Sequence, residues 1–439
     1  MNTVVSALLL ILAPLLPLLL AFPALRSRLP RPCFIALLPA LILLIVPPPV
    51  SIDLPWLLLG TGLGIDDGAG RLLLAMSVLV WAAAAGLLHS ANDKPVDERL
   101  TSCFLLTLAG HLGVILATDL MGFFTFSVLM GYGFYALLVT GGGEGIRRAA
   151  RIYLVCLILA DLALFEALLI AAATANDLGF EAVRQAMAQS ASPGLYLSMV
   201  LVGFALKAGV WPLHVWLLPA FRSSRPAVAL LLGAVPVAIA LLGLVRWLPL
   251  GEVSLPAVGL IIQGMGVAAM LYATLAGIKR MPLTRLPAYA AIFVTGLFTT
   301  TLGAGLGDPA AWSRYGNLAC FFILLLGLGV AALVVASGWL QAGFHSLATP
   351  GKPVDHSVPW FERWPGAVTR WATQLGVDTL PRLRAVWLAK VSCCLQQVRA
   401  WQRTLDSGER FLRRWAHAIT LFLLLGIVMA FIGALSWIW

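Results

Sequence analysis

The chain has 439 residues, of which 61% are hydrophobic and only 11% charged. Soluble domains carry about 25% charged residues, so a soluble fold is excluded and a polytopic membrane protein is expected. The formal net charge of +10 does not point to nucleic acid, because the basic residues fall in loops between apolar runs, the pattern that orients membrane helices.

Apolar runs of about 17–24 residues, enough to span roughly 30 Å of hydrocarbon, recur along the chain. They lie at 4–22, 33–50, 70–90, 101–118, 120–140, 150–173, 196–220, 227–246, 257–278, 287–306, 317–338 and 417–438. The fold class expected is an all-α polytopic membrane protein with about 12 transmembrane helices. The first run is read as a membrane helix and not a cleavable signal, since no positive charge precedes it. Basic residues follow alternate runs: Arg26, Arg28 and Arg31; Lys94 and Arg99; Arg147 and Arg148; Arg222 and Arg225; Lys279, Arg280 and Arg285. The intervening loops carry acids: Asp53, Asp66 and Asp67; Asp177 and Glu181; Glu252; Asp308. Basic loops belong on the cytoplasmic side, which places both termini outside.

The chain divides into N-terminal transmembrane helices (1–100), a transmembrane core (101–338), a basic segment (339–416) and a C-terminal transmembrane helix (417–439). The basic segment interleaves arginine with Trp360, Trp364, Trp371, Trp387, Trp401 and Trp415. That mixture suits an amphipathic helix on the cytoplasmic membrane surface or along a partner subunit. The six cysteines form no CxxC pair, no phosphate-binding or catalytic motif is present, and neither a metal site nor a cofactor is expected in this chain.

The seventh run, LVGFALKAGVWPLHVWLLPAFRSSRP (201–226), holds the most informative residues. Lys207 stands in its middle at an insertion cost of at least about 2.5–3.5 kcal/mol, so it must face protein or water and have a partner. Pro212 opens the helix ladder and leaves carbonyls for water or an ion. His214 follows Lys207 by seven residues, two helical turns, on one face. Other charges within the spans are His111, Asp161 and Glu166, with Asp119 at a helix junction. Asp161 and Glu166 lie about 140° apart around a helix, and Asp161 is the better counter-charge for Lys207. Either the pair fixes helix packing only, or it takes and releases a proton.

LKAGVWPLHVWLLPA (206–220), followed by RPAVALLLGA (225–234), resembles the signature of the proton-conducting membrane transporter family. That family supplies antiporter-like subunits of respiratory complex I, membrane-bound hydrogenases and multi-subunit sodium/proton antiporters. Lys207, Pro212, His214, Trp216, Pro219 and Pro226 match its motif. LGTGLGIDDGAGRLLLA (59–75), ATDLMGFFTFSVLMGYGFYALLV (117–139), Asp161 and RLPAYAAIFVTG (285–296) with Arg285 are similar in the same order. The resemblance covers roughly 50–310 and implies an inverted-repeat bundle with a broken seventh helix. Three positions depart from the pattern: the glutamate that pairs with the lysine falls on Val128, a lysine on Thr284, and a histidine or serine on Leu232. The run 317–338 contains no charged residue, where the family has a second broken helix with a buried charge.

The resemblance implies a subunit that moves protons, or sodium and protons, through Lys207, with Asp161 or Glu166 as its partner and His214 as the next carrier. It would serve as a non-redox membrane subunit of an NADH:quinone oxidoreductase-like or hydrogenase-like translocase in a bacterial inner membrane. Its partners would be other membrane subunits, the lipid bilayer and a soluble catalytic protein on the cytoplasmic face. The alternative is a transport-inactive structural subunit that docks a respiratory, hydrogenase or inorganic-carbon-uptake partner. His111, Asp119 and Arg285 are secondary polar candidates.

Overall fold

A computed structural model describes residues 3–27, 29–45, 50–54, 60–65, 68–90, 97–190, 193–278 and 285–347. The fold is almost wholly helical, with eight helices long and apolar enough to cross a membrane among the described residues. The expected run at 417–438, most of the basic segment and Thr284 lie outside those residues.

The first two runs form α1 (Thr3–Leu20), α2 (Pro23–Arg26), α3 (Pro32–Ile35) and α4 (Leu38–Leu43). Within run 33–50 the described residues form two short helical pieces, each started by a proline near its N-terminus, and together they make a shorter apolar helix, Pro32–Leu43. Arg26, the buried last residue of α2, donates to the carbonyls of Ala21 and Glu98 and to Ser102 Oγ. The antiparallel hairpin β1 (Val50–Leu54) and β2 (Thr61–Ile65) was not expected from the apolar pattern. Five-residue strands carry too short a period to stand out beside 20-residue apolar runs.

α5 (Ala69–Ser90), α6 (Glu98–Leu116), α7 (Leu120–Val139) and α8 (Glu144–Thr174) follow. Asp119 caps α7 by accepting from Gly122 N at 2.7 Å, and its other oxygen accepts from Thr61 Oγ1 and Gly62 N at 2.7 and 2.8 Å. That carboxylate thus pins the hairpin to the α6–α7 junction, satisfying donors that lipid could not. After the amphipathic α9 (Phe180–Gln189) come α10 (Gly194–Ala208), a 3₁₀ turn (His214–Trp216) and α11 (Leu217–Ser223). α12 (Pro226–Leu232), a π turn (Gly233–Val237) and α13 (Ala238–Trp247) make one span, buried over most of its length.

α14 (Pro256–Ile278) and α15 (Leu286–Gly307) pack closely; a Cβ on Gly303 would come 2.6 Å from Gln263 N and Gly259 O. Small residues let two helices gain dispersion where lipid offers no hydrophobic driving force. α16 (Pro309–Leu324), a second π turn (Leu325–Gly329) and α17 (Val330–Leu347) complete the described chain. Where a second broken, charged helix was in question, Pro309–Leu347 holds a π turn and no charge over 317–338.

The charge alternation has a structural counterpart. Asp119 bridges Gly179 beside Asp177 and Glu181, and Glu252 lies within electrostatic reach of Glu181. At the other end Arg148, Arg222 and Arg285, from the ends of three separate helices, line one cavity. Acidic and basic loops are thus gathered on opposite ends of the bundle.

Candidate functional site

α10 ends at Ala208 because Gly209 takes a left-handed conformation, φ +61°. Gly209 N–H reaches Leu206 O at 3.3 Å and Val210 N–H reaches Ala205 O at 3.1 Å, a Schellman closure. The closure occupies the carbonyls of Ala205 and Leu206. This corrects one sequence expectation: no continuous helix carries Lys207 and His214 on one face. Instead the chain breaks over 209–213, with a cis bond at Trp211–Pro212, and resumes in the 3₁₀ turn that begins at His214. The break also turns back on itself: a Cβ on Gly209 would sit 3.5 Å from His214 Cα and 3.0 Å from Trp216 Nε1.

Lys207 occupies the last turn of α10 and is 5% exposed. Its Nζ lies 2.7 Å from Asp161 Oδ1 on α8 and donates to Ser127 Oγ on α7 at 2.7 Å. Three helices therefore converge on one ammonium. Asp161 and Ser127 are themselves buried, at 9% and 1% exposure. Oδ2 of Asp161 is buried with no hydrogen-bond partner among the described residues. Such a site is a place where a proton or a reoriented donor would be stabilised. An ion pair withdrawn from water gains stability only when its geometry and hydrogen bonding are good, and here one carboxylate oxygen is left over.

His214 is buried, with its ring centroid 4.8 Å from that of Tyr272 on α14. It also lines a cavity of about 390 Å³ that it shares with Arg148, Arg222, Arg285 and Tyr289. Access from the basic end of the bundle thus reaches the residue that resumes the broken helix.

The other sequence candidates separate by environment. Glu166 is exposed on α8, away from the buried face that carries Asp161, as five-residue spacing dictates. Among the described residues only Asp161 of the two forms an ion pair with Lys207. His111 is fully buried, with Nε2 2.8 Å from Ser77 Oγ and its ring against Trp81. Asp119 serves the hairpin junction described above. Arg285 stands at the N-cap of α15, half-buried at the cavity wall. Val128 is half-buried, and its neighbour Ser127 is the α7 residue that meets Lys207. Adjacent helical positions point about 100° apart, so of the two Ser127 is the one that meets Lys207.

Sequence reasoning also missed Arg246 on α13. Its guanidinium donates to the carbonyls of Val114, Ile115 and Ala117 at 2.9, 2.9 and 3.2 Å and lies over the rings of Phe123 and Phe180. It neutralises the open C-terminal carbonyls of α6. A lone arginine near a span end reads as a loop charge until the fold places it.

A paired lysine at a helix break inside a bundle of apolar spans defines an antiporter-like integral membrane protein. Comparison with known proteins gives the same class. Residues 117–346 match the NADH:quinone oxidoreductase/Mrp antiporter transmembrane family, and the chain belongs to that family. The matched region starts later than the resemblance read from the sequence and extends further, through α17. The chain is 26% identical over 274 residues to NADH-quinone oxidoreductase subunit N of Desulforudis audaxviator, covering 60% of this chain and 53% of that protein. It is 26% identical over 339 residues to subunit M of Mycobacterium tuberculosis, covering 66% of this chain and 59% of that protein. The chain thus spans just over half the length of these curated relatives.

Two solved structures share the fold. One is the archaeal membrane-bound sulfane sulfur reductase, a respiratory membrane complex (TM-score 0.64, 18% identity, 77% of this chain and 72% of that one). The other is the Mrp complex of Dietzia (TM-score 0.66, 19% identity, 79% of this chain and 39% of that one).

Proposed function

We propose that this chain moves protons as one membrane subunit of a larger ion-translocating complex, with Lys207 as the switching site. The observation that carries the reading is the 2.7 Å pair of Lys207 and Asp161 immediately before a helix break. When Asp161 holds Lys207, the ammonium form is favoured; when the carboxylate swings or is neutralised, burial favours the free amine and a proton leaves. Ser127 steadies Nζ through either state, as acceptor to the ammonium and as donor to the free amine. His214, at the inner end of the basic-side cavity, is the next carrier. In a sodium/proton exchange the Lys207 step would still carry only the proton, because an amine exchanges H+ and does not coordinate sodium.

The names of the relatives support an assembly of the NADH:quinone oxidoreductase or Mrp kind, in which the chain is a non-redox member beside other membrane subunits. Cofactors would belong to those partners, and a soluble catalytic protein would dock on the cytoplasmic face. The arginine-rich end of the bundle supports a cytoplasmic placement for that end in a bacterial inner membrane, with both termini outside.

A second reading has its own observation. Val128 stands where the family pattern has the glutamate that pairs with the lysine, its neighbour Ser127 offers Lys207 only a hydroxyl, and 317–338 is bare of charge. These features suit a structural subunit that has lost transport and couples a respiratory, hydrogenase or inorganic-carbon-uptake partner. Asp161→Asn decides between the two. In an assembled complex reconstituted in vesicles, the transport reading predicts near-complete loss of proton uptake with assembly retained. Unchanged uptake, or wild-type complex with no uptake to lose, favours the structural reading.

A further inference from the structure

We infer that the cavity at the basic end binds the phosphate of an anionic phospholipid headgroup. Arg148 comes from the first turns of α8, Arg222 from the end of α11 and Arg285 from the start of α15, yet all three line the same space. None of the three makes an ion pair or hydrogen bond with another described residue. Arg26, Arg71, Arg184 and Arg246 are spent on internal partners. Arg147, Arg151 and Arg225 are as uncommitted as the three but lie outside the cavity lining, so what sets Arg148, Arg222 and Arg285 apart is their convergence on one space. Three uncommitted guanidiniums around one cavity form a fork-shaped donor set suited to a phosphate group.

The volume, about 390 Å³, falls in the range of small-molecule sites. Much of its remaining wall is apolar, with Ile152, Val215, Leu218 and Pro219 beside the arginines, and His214, Ser223 and Tyr289 supply its other polar groups. A free phosphate would leave that wall unused. A phosphodiester carrying glycerol and the start of an acyl chain would cover both kinds of surface, and the leaflet next to basic loops is the one rich in anionic lipid. His214 lines the same cavity, so a bound headgroup would stand in the entry to the switching site. That consequence rests on the transport reading; the binding does not.

The test uses the purified full chain in neutral detergent after delipidation, titrated with short-chain phosphatidylglycerol, short-chain phosphatidylcholine or inorganic phosphate. Binding is read by native mass spectrometry and by the shift in unfolding temperature. Phosphatidylglycerol should bind and phosphatidylcholine should not. Arg222→Gln and Arg148→Gln should each weaken binding about tenfold or more, the worth of one charge-assisted hydrogen bond. Arg225→Gln, outside the cavity lining, should bind as wild type. Inorganic phosphate that binds as tightly and competes would uphold the arginine site and reassign its ligand to a soluble phosphate. Equal binding of both lipids, or full binding by the Arg148→Gln/Arg222→Gln pair, would overturn the inference. All these readouts are independent of proton movement, so a failure of the transport reading leaves them interpretable.

Discussion

Lys207 Nζ, on the last turn of α10, lies 2.7 Å from Asp161 Oδ1 on α8, and the helix that carries the lysine ends one residue later. Charge pair and helix break are therefore one structural unit. The insertion cost of the ammonium is met by the carboxylate, and the break leaves the lysine at the end of a rod where a small backbone change alters its reach.

Removing one member of this pair strands the other charge. Asp161→Leu or Lys207→Met alone should each destabilise the folded chain by about 3–5 kcal/mol, whereas the double substitution should be near neutral. Thermal unfolding of the four proteins in detergent closes the double-mutant cycle. Additive losses would mean that the two groups do not interact.

Ser127 and Val128 should behave differently although they are neighbours. Ser127→Ala removes the hydrogen bond to Nζ, worth about 1.5–3 kcal/mol for a charged donor. Val128→Ala trims a half-buried side chain and should leave proton uptake unchanged. The comparison is a vesicle assay plus an unfolding curve for each variant.

Arg246→Ala should cost stability without touching the Lys207 site. It strips three carbonyls of their donor and leaves them buried, at about 1–3 kcal/mol for each unsatisfied group. Arg246→Lys should recover only part, since an ammonium cannot reproduce the planar fork. Unfolding temperature and protease sensitivity at the α6–α7 junction report the effect.

At the acidic end, two glutamates should show opposite pH dependence. Burial, reinforced by the Glu181 charge and opposed by Arg184, pushes the Glu252 carboxyl up. Its folded form holds a proton more tightly than the unfolded form, so stability falls as pH rises above about 4.3. Hydrogen bonds from Arg184 and Gln185 hold Glu181 below its usual range, so its contribution is present above that pH and is lost on acidification. Glu252→Gln should therefore stabilise slightly at neutral pH, and Glu181→Gln should destabilise slightly. Both differences should disappear in strong acid. Unfolding curves from pH 3 to 8 measure the two signs, with exposed pairs of this kind worth about 0.2–1 kcal/mol.

Much of this architecture was legible in the sequence, for identifiable reasons. Long apolar runs have little choice but to be helices in lipid, and alternating loop charge reported which loops share an end. Lys207 and Asp161 stood out because a charge within an apolar run needs a partner. Ser127 did not, because serine is common in such helices and lies 80 residues from Lys207. The two-turn relation of Lys207 to His214 failed because it assumed a helix that Gly209 ends. The β1–β2 hairpin and the Arg246 clamp depend on contacts between distant segments, which periodicity does not carry.

The central claim is that the Lys207 ammonium is a working proton site. It is tested most directly by proton uptake of the assembled complex in sealed vesicles with Lys207→Ala, assembly being verified by subunit stoichiometry. The account predicts a correctly assembled complex with uptake reduced to background, and partial recovery with Lys207→Arg only if a fixed charge suffices for coupling. Full uptake by an assembled Lys207→Ala complex would contradict it.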